Sequence, residues 1–395
     1  MGNISYPKVF LKPKEHRRIK DGHLWAFSNE IARIEGDPPP GGLVELRDSQ
    51  QAFLGIGYYN AHSLVAVRLL TREREEIDAN FFARRIREAF AYRQRVLPGA
   101  QSYRLLFGES DGLPGLVVDS YQNRLVLQCF SMGIENLIAP VCDALTEILS
   151  PKLIYERNDI PSRHLEGLTQ HKGLLRGLPV EPLIISSNGL SLAVNIENGQ
   201  KTGLFLDQVL NQKAAAAYAK DRKVLDCFCY QGGFALACAK AGASQVIAVD
   251  ESKQALELAD QNSERNGLQD CIEWYQADAF KVLRDQVQCH DKFDLIILDP
   301  PSFARSKADL PNARKALKEI NSSAMKLLSK GGVLLTCTCS HHVSSEDFLA
   351  LLSSASGNTG RSFRILESRT QSPDHPILLS MPETHYLKCV ILEAV

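Results

Sequence analysis

The stretch VLDCFCYQGGF at residues 224–234 decides the fold of the carboxy-terminal half of this chain. It predicts a buried apolar strand that ends near Asp226 and continues into a glycine pair, Gly232-Gly233, from which a helix can begin. The glycine pair lets the backbone pass close to a ligand. Its spacing does not match Gly-x-Gly-x-x-Gly, so a dinucleotide site is a poor fit.

Outward from this stretch, apolar strands alternate with helical segments from about residue 185 onward. This alternation is typical of a doubly wound α/β domain with a mainly parallel sheet. The predicted elements are strand 224–227, helix 234–240, strand 245–249, helix 253–266, strand 272–275, helix 279–287, strand 293–298, helix 312–328 and strand 332–338. Because ligands of such sheets bind beyond the carboxyl ends of the strands, the residues that end each strand are candidate site residues.

Acidic residues end or follow the second and third of these strands. Asp250 lies twenty-four residues after Asp226, where an acid can accept hydrogen bonds from both ribose hydroxyls of a nucleoside ligand. Asp278 follows the third strand, where it can meet an adenine edge. Both acids also fit the N-cap of the helix that follows, so spacing alone leaves the two roles open.

The fourth and fifth strands end in chemically active residues. The fourth ends in Asp299-Pro300-Pro301, where two prolines fix an extended exit and hold the Asp299 carboxylate at the sheet edge. On the fifth strand Cys337 and Cys339 share a face, with Cys339 nearer the ligand edge. A buried cysteine is usually an inert small hydrophobe. Beside Asp299 on a neighbouring strand end, however, Cys339 becomes a candidate nucleophile.

The ten cysteines show no Cys-x-x-Cys pair. A chain of this size does not need disulfides, so we expect reduced thiols. The pairs Cys227/Cys229 and Cys337/Cys339 are spaced too closely for a typical structural zinc site. We therefore predict no metal, and we interpret Cys227 and Cys229 as structural.

The chain has 395 residues, which exceeds the roughly 250–300 residues at which single cores stop growing. We predict three domains, with boundaries at 1–73, 74–184 and 185–395. The first is predicted to be all-β, with strands near 43–46, 52–58 and 64–70, and the second α+β, beginning with a helix over 78–96. Its glycine-rich turn at 108–115 is interpreted as structural.

The charge is unevenly distributed along the chain. Residues 1–95 carry sixteen Lys and Arg against twelve Asp and Glu, whereas residues 185–395 carry 22 against 24. A basic segment beside flat rings suits RNA, because phosphates attract cations and unstacked bases attract aromatic side chains. The candidate RNA-binding residues are Lys12, Lys14, Arg17, Arg18 and Trp25. Residue types leave open whether Trp25 and Phe27 are instead core residues of a small barrel.

No apolar run approaches the roughly 20 residues that cross a bilayer, and no apolar stretch of signal-peptide length opens the sequence. We therefore expect a cytoplasmic protein without a membrane partner.

Taken together, the residues at the strand ends resemble the motif series of class I S-adenosylmethionine-dependent methyltransferases. These are Asp226 with its glycine pair, Asp250, Asp278, Asp-Pro-Pro and Thr-Cys-Ser. More closely, the chain resembles the bacterial I-type large-subunit ribosomal RNA cytosine-5 methyltransferases over nearly its whole length. The stretches that carry this resemblance are residues 23–28 (HLWAFS), 108–115 (GESDGLPG), 200–203 (QKTG), 206–208 (LDQ), 228–234 (FCYQGGF) and 374–376 (DHP).

The resemblance implies a Rossmann-like class I methyltransferase domain, preceded by a small all-β PUA-like RNA-binding domain and an α+β middle domain. It implies methyl transfer from S-adenosylmethionine to C5 of a cytosine in large-subunit (23S) ribosomal RNA, through a covalent adduct with Cys339. Asp299 would act on the base, and we add Lys201 as a source of positive charge beside the thiol. The cofactor would contact Phe205, Gln208, Asp226, Phe228, Tyr230, Gly232, Asp250, Asp278 and Asp299.

The sequence departs from another branch of RNA cytosine-5 methyltransferases, in which a second cysteine follows the proline of the Asp-containing motif. Ser302 occupies that place here. Three alternatives stay open. The first is an RNA methyltransferase that acts on an exocyclic amine of guanine or adenine, the second is a non-catalytic RNA-binding assembly factor, and the third, disfavoured by the glycine spacing, is a nicotinamide oxidoreductase. A second copy of the chain is a further candidate partner, as a homodimer.

Overall fold

The computed structural model describes residues 6–178, 183–304 and 306–395. The chain forms two compact units. The first unit contains Met1–Ile185, Val194–Leu206 and Pro373–Thr384, and the second contains Ser186–Ala193, Asp207–Ser372 and His385–Val395. The boundaries at 1–73, 74–184 and 185–395 stay a prediction.

The first unit begins with a sheet whose strand order is β2-β6-β5-β4-β1-β3. Its elements are β1 (Lys8–Leu11), α1 (His16–Lys20), β2 (Trp25–Ala26), β3 (Ile31–Glu35), β4 (Gly42–Arg47), β5 (Phe53–Tyr59) and β6 (Val67–Thr71). Val9, Val44 and Leu69 from three of these strands are buried in one hydrophobic cluster. The short helix α1 was not expected, and it forms where charged residues replace β-formers. The predicted strand 64–70 begins only at Val67, since the preceding turn leaves Leu64 79% exposed.

The rest of the first unit packs helices on a second sheet, with strand order β11-β10-β9-β8-β7. Its elements are α2 (Ala79–Val96), β7 (Ser102–Phe107), β8 (Leu116–Tyr121), β9 (Arg124–Cys129), α3 (Met132–Asn136), α4 (Ile138–Leu149), β10 (Leu153–Asn158) and β11 (His171–Gly177). The predicted helix over 78–96 is confirmed, and Asp78 caps it by accepting a hydrogen bond from the Phe81 backbone N–H at 2.9 Å.

The second unit is built on one large sheet. A two-stranded hairpin, β12 (Leu183–Ser187) and β13 (Leu190–Val194), precedes it in the chain. The elements that follow the hairpin are α5 (Val209–Ala216), β14 (Lys223–Cys227), α6 (Gly233–Lys240), β15 (Gln245–Asp250), α7 (Lys253–Arg265), β16 (Ile272–Gln276), α8 (Ala279–Cys289), β17 (Phe293–Leu298), α9 (Leu310–Leu327), β18 (Leu328–Thr338), α10 (Ser345–Gly357), β19 (Phe363–Thr370) and β20 (Lys388–Ala394). The strand order is β16-β15-β14-β17-β18-β20-β19.

Strands β14 to β18 run parallel, and β20 pairs antiparallel with both β18 and β19. The predicted doubly wound sheet is therefore confirmed. Its central strands are apolar on both faces, and Leu225, Ile296 and Leu334 are fully buried, as expected of parallel strands covered by helices. Strand order reverses at β14, which lies between β15 and β17, and this is the place where such sheets bind ligands.

Across the described ranges, no helix combines the length and the apolar character needed to cross a membrane.

Candidate active site

The candidate active site of the second unit lies at the carboxyl ends of β14, β15, β17 and β18. Asp226 lies on β14, Asp250 ends β15, Asp299 follows β17 and Cys339 follows β18. Since β14 pairs with both β15 and β17, and β17 pairs with β18, the fold brings the ends of these four strands to one sheet edge.

The turn between β14 and α6 has an unusual backbone. Phe228, Tyr230 and Gly232 have φ angles of 65°, 50° and 74°, in the left-handed region that costs non-glycine residues energy. The backbone N–H of Tyr230 donates a hydrogen bond to Asp250 Oδ2 at 2.8 Å, which fixes the turn to the end of β15. A side chain at position 232 would place its Cβ 2.4 Å from the Trp274 ring, so only glycine fits there. Strain held in place by tertiary contacts is typical of functional sites.

Asp226 is fully buried beneath this turn. Its Oδ2 accepts a hydrogen bond from the Ala235 backbone N–H at 2.9 Å, which joins β14 to the first turn of α6. Its Oδ1 has no hydrogen-bond partner among the described residues. Burial raises the pKa of Asp226 well above its ordinary value, and the negative charges of Asp299 and Asp250 raise it further.

Asp250 and Asp278, each of which the sequence places either at a nucleoside ligand or at a helix N-cap, differ in their contacts. Asp250 is not the cap of α7, because Ser252 fills that position. Instead, the half-buried Asp250 carboxylate accepts from the backbone N–H groups of Tyr230 and Ser252. Asp278 is exposed and caps α8 by accepting from the Phe280 backbone N–H at 2.8 Å. Their contacts with a cofactor stay predictions.

Asp299 is oriented by a chain of amide groups. Its Oδ1 accepts from Gln208 Nε2 at 2.8 Å, and Gln208 Oε1 accepts from Asn211 Nδ2 at 2.7 Å. Asn211 Oδ1 in turn accepts from Arg369 Nε at 2.9 Å. Gln208 is only 3% exposed, so its amide has a single defined orientation. Asn211 and Arg369 were not predicted as site residues, since neither belongs to a recognisable motif.

Cys339 differs from the other cysteines near this edge because it is half-buried rather than buried. Its Sγ lies 4.0 Å from the carbonyl oxygen of Pro300, so the thiol and the Asp299-Pro300-Pro301 segment are neighbours. Burial raises the pKa of Cys337 well above its ordinary value, and its hydrogen-bonded neighbour Cys389 adds to the effect. Burial raises the pKa of Cys227 and Cys229 in the same direction. The structure thus separates one accessible thiol from three that resist ionisation.

Three phenylalanine rings form a cluster at the same edge. Phe280 lies 6.1 Å from Phe228 and 5.7 Å from Phe303, measured between ring centroids, and Phe228 lies 6.4 Å from Phe303. Two of the three pairs, Phe228–Phe280 and Phe228–Phe303, are edge-on, an arrangement that is favourable at these distances. Phe303 therefore packs within the protein, directly after the Asp-Pro-Pro-Ser segment.

Two predicted site residues belong to the first unit. Lys201 adopts a φ of 51°, and its Nζ lies 4.3 Å from the centre of the Phe205 ring. The pair forms a cation–π contact. The roles of Lys201 beside the thiol and of Phe205 beside the cofactor stay predictions.

The candidate RNA-binding residues also lie in the first unit. Lys12, Lys14 and Arg17 are exposed. Arg18 donates to both carboxylate oxygens of Glu30, at 2.8 and 2.9 Å, so its charge is largely compensated. Trp25 is half-buried, and its Nε1 donates to Glu109 at 2.9 Å.

A cavity of about 240 Å³ lies beside the Trp25 indole, lined also by Phe107, Phe130 and Glu109. Trp25 is thus neither a core residue nor a free ring, but one wall of an aromatic cavity.

Two family models match the chain. A PUA-like domain matches residues 9–72, and the S-adenosylmethionine-dependent methyltransferase family matches residues 166–382. The second match contains Asp226, Asp250, Asp299 and Cys339.

Curated relatives match over nearly the full length. The ribosomal RNA large subunit methyltransferase I of Aeromonas salmonicida (strain A449) is 40% identical over 391 residues, which cover 98% of this chain and 99% of the relative. The protein of the same name from Shewanella denitrificans (strain OS217) is 41% identical over 390 residues, 97% of this chain and 98% of that one.

Solved structures share the fold. A crystal structure of a methyltransferase, SMU.776, complexed with SAH has a TM-score of 0.86 at 21% identity and covers 98% of this chain and 99% of that chain. A SAM-dependent methyltransferase from Streptococcus mutans has a TM-score of 0.83 at 20% identity, with the same coverage of 98% and 99%. The predicted fold class is confirmed.

Proposed function

This chain belongs to the ribosomal RNA large subunit methyltransferase I family of S-adenosylmethionine-dependent methyltransferases, and we propose that it methylates C5 of a cytosine in large-subunit (23S) ribosomal RNA. Membership rests on about 40% identity over 98% of the chain and on the family model that covers residues 166–382. The family uses S-adenosylmethionine, and methylation of ribosomal RNA is the activity that the names of the relatives support. The cytosine target and the covalent route are our proposal, as is a cytoplasmic location.

The residues at the edge of the sheet fit such a cofactor. The Asp226 Oδ1 atom is buried without a partner among the described residues, and the Asp250 carboxylate lies at the end of β15, where ribose hydroxyls bind in related sheets. We assign the binding role to Gln208, Asp226, Phe228, Tyr230, Gly232, Asp250, Asp278 and Asp299, together with Phe205. When bound, the cofactor supplies an electrophilic methyl group on a sulfonium sulfur.

The chemistry at the base requires a nucleophile, since C5 of cytosine is too electron-poor to attack a methyl group unaided. The Cys339 thiolate adds to C6, forming a C–S bond and moving the electron pair of the C5–C6 double bond toward C5. A proton shared between the Asp299 carboxyl group and cytosine N3 stabilises the negative charge that the addition creates. After C5 takes the methyl group, loss of the C5 proton to a base expels the thiolate and restores the ring.

One observation carries this proposal. Cys339 is an accessible thiol 4.0 Å from the Pro300 carbonyl oxygen, while Cys337, Cys227 and Cys229 at the same edge are buried. An enzyme that methylates an exocyclic amine needs no cysteine, and it stacks its base on an aromatic residue after the Asp-Pro-Pro motif. Phe303 instead packs against Phe228 and Phe280, which disfavours that alternative.

The test uses a base that traps the adduct. Large-subunit ribosomal RNA containing 5-fluorocytidine is incubated with the protein and S-adenosylmethionine, because fluorine at C5 cannot leave as a cation. We expect a protein–RNA adduct that survives denaturation, that disappears in Cys339→Ala and that persists in Cys289→Ala, which removes an exposed cysteine on α8.

Two other outcomes would overturn the proposed function. Methyl transfer to unmodified RNA that survives Cys339→Ala, with no adduct, would replace the cytosine-C5 proposal with amine methylation. A folded protein that does not bind S-adenosylmethionine or S-adenosylhomocysteine would favour a non-catalytic RNA-binding factor.

We also propose that the first unit contacts the RNA. Lys12, Lys14 and Arg17 present exposed charge for phosphates, and the aromatic cavity beside Trp25 offers a flat surface for a base. A homodimer stays a prediction, which the elution volume of the purified protein tests.

A further inference from the structure

Lys388 lies where the last strand of the second unit meets the strand that leads to Cys339. It opens β20 and pairs with Thr338, the final residue of β18 and the neighbour of Cys339 in sequence. Only 6% of Lys388 is exposed. Lysine is rarely buried unless its charge is paired, so this position requires an explanation.

The amino group of Lys388 is surrounded by backbone carbonyl groups. Its Nζ donates to Ser340 O at 3.2 Å and to His385 O and Tyr386 O at 3.4 Å each. Within the ranges that the structure describes, none of its hydrogen-bond partners is a carboxylate. Three acceptors match the three N–H bonds of an ammonium group, whereas a neutral amine has only two. The carbonyl cage therefore favours the charged form, without neutralising it.

The charge of Lys388 is coupled to Cys339. Burial lowers the pKa of Lys388, and the negative charge of Cys339 opposes that shift. The effect is reciprocal: a thiolate that stabilises an ammonium group is stabilised by it to the same degree. Ser340, whose carbonyl group accepts from Nζ at 3.2 Å, directly follows Cys339, so the ammonium group is held at the residue next to the nucleophile in sequence.

The other ionisable groups around this pair do not replace Lys388. Burial lowers the pKa of His385, and the positive charge of Lys388 lowers it further, so this imidazole is neutral at ordinary pH. The His341 ring contacts the Tyr386 ring in a tilted arrangement, with ring centroids 5.8 Å apart. Asp299 beyond β17 is an acid, and Cys337 and Cys389 on the paired strands are buried thiols.

We propose that the Lys388 ammonium group stabilises the thiolate of Cys339 and so prepares the nucleophile before the RNA binds. The inference rests on the proposed function, in which Cys339 attacks the base. Lys388 acts through Cys339 and is therefore a positioning residue. It belongs to the same compact unit as Cys339, whereas Lys201, the cation that the sequence suggested, belongs to the first unit.

The first measurement is alkylation of Cys339 by iodoacetamide across about pH 6 to 10, with no RNA present. The modified position is read by fragmentation mass spectrometry, because Cys337 lies in the same tryptic peptide. In the unmutated protein we expect half-maximal reactivity below the ordinary thiol pKa of about 8.5. A midpoint at or above that value overturns the proposal without any variant.

The variants separate charge from packing. Lys388→Met removes the charge, Lys388→Arg keeps it, and Lys330→Met removes an exposed lysine near the start of β18 as a matched control. We expect the Cys339 midpoint to rise by about one pH unit in Lys388→Met and to stay unchanged in the other two. Equal midpoints in all variants overturn the proposal. Binding of S-adenosylhomocysteine by calorimetry verifies that Lys388→Met is folded.

Activity provides the second readout. Below the thiol midpoint, Lys388→Met should methylate RNA about tenfold more slowly than the unmutated protein, and the difference should vanish as the pH rises above both midpoints. A deficit that is constant with pH contradicts the proposal and indicates a structural role. If the alkylation midpoint shifts but no 5-fluorocytidine adduct forms, the thiolate pair stands and the proposed function fails. If the adduct forms and the midpoint does not shift, the proposed function stands and the role of Lys388 fails.

Discussion

At the scale of single residues, the site contains groups that weaken the fold. Asp226 is a buried acid with one oxygen unpaired among the described residues, and its pKa is raised by burial and by two neighbouring acids. Phe228 and Tyr230 hold left-handed backbone angles. Such features cost free energy and are kept where function requires them.

The substitution Asp226→Asn tests whether the fully buried acid of the site weakens the fold. An acid with a raised folded pKa stabilises the fold fully below the unfolded pKa of about 3.9 and loses that contribution as the pH rises through the folded value. We therefore expect Asp226→Asn to have a free energy of unfolding about 1–2 kcal/mol higher than the unmutated protein at pH 8, measured in urea. The difference should shrink as the pH falls and should vanish below the unfolded pKa of about 3.9.

The same variant should bind S-adenosylhomocysteine at least about tenfold more weakly. Asp270→Asn, which changes an exposed acid, should alter neither property. A less stable Asp226→Asn at pH 8 would show that the carboxylate supports the fold rather than the ligand.

At the scale of elements, the strand–turn–helix unit of β14 and α6 positions the site. Its backbone path depends on Gly232, which has a φ of 74° and faces the Trp274 ring. Gly267, after α7, has a nearly equal φ of 67°, but no atom lies within 4 Å of the place that a Cβ would occupy there. Both glycines have a backbone conformation that is costly for other residues, but only Gly232 lacks room for a side chain.

We expect Gly232→Ala to lower the free energy of unfolding by about 1–3 kcal/mol more than Gly267→Ala, since only the former adds a steric clash. Urea unfolding of the two variants measures the difference. Equal losses would mean that Trp274 moves aside without cost and does not shape the turn.

The elements also show what the sequence could predict. The strands and helices from β14 to β18 follow from apolar periodicity, whereas α10, β19 and β20 were not predicted. Asp299 and Cys339 were found because they follow adjacent parallel strands. Lys388 and Asn211 could not be found in this way. Their partners Ser340 and Arg369 lie 48 and 158 residues away, so their roles depend on tertiary contacts that no local pattern encodes.

At the scale of the whole molecule, the chain alternates between its two compact units. Segments Val194–Leu206 and Pro373–Thr384 belong to the first unit although the second unit surrounds them in sequence. Asp374 shows how firmly the later segment is held: its backbone carbonyl accepts from Arg93 at 2.8 Å, and its carboxylate accepts from the Arg104 backbone N–H at 2.8 Å.

A fragment cut at the predicted boundary, residues 185–395, keeps these two segments but loses their partners. Ile196, Met381 and Asp374, each at most 1% exposed in the full chain, would meet water. We expect the fragment to unfold at lower urea than the full chain and to self-associate in size-exclusion chromatography, because newly exposed apolar surface favours aggregation. A monomeric fragment of unchanged stability would contradict the division into two units.

The strand β20 is synthesised after every other strand of its sheet. Chains fold from the amino terminus as they leave the ribosome. Here Pro373–Thr384 completes the first unit, and β20, at Lys388–Ala394, fills the gap between β18 and β19. Because both segments follow Ser372, neither unit can finish folding before residues 373–394 have left the ribosome, and Lys388, the proposed partner of the thiolate, emerges only with them. A nascent chain that has not yet reached Lys388 is therefore expected to carry a less reactive Cys339 thiol than a chain that includes β20.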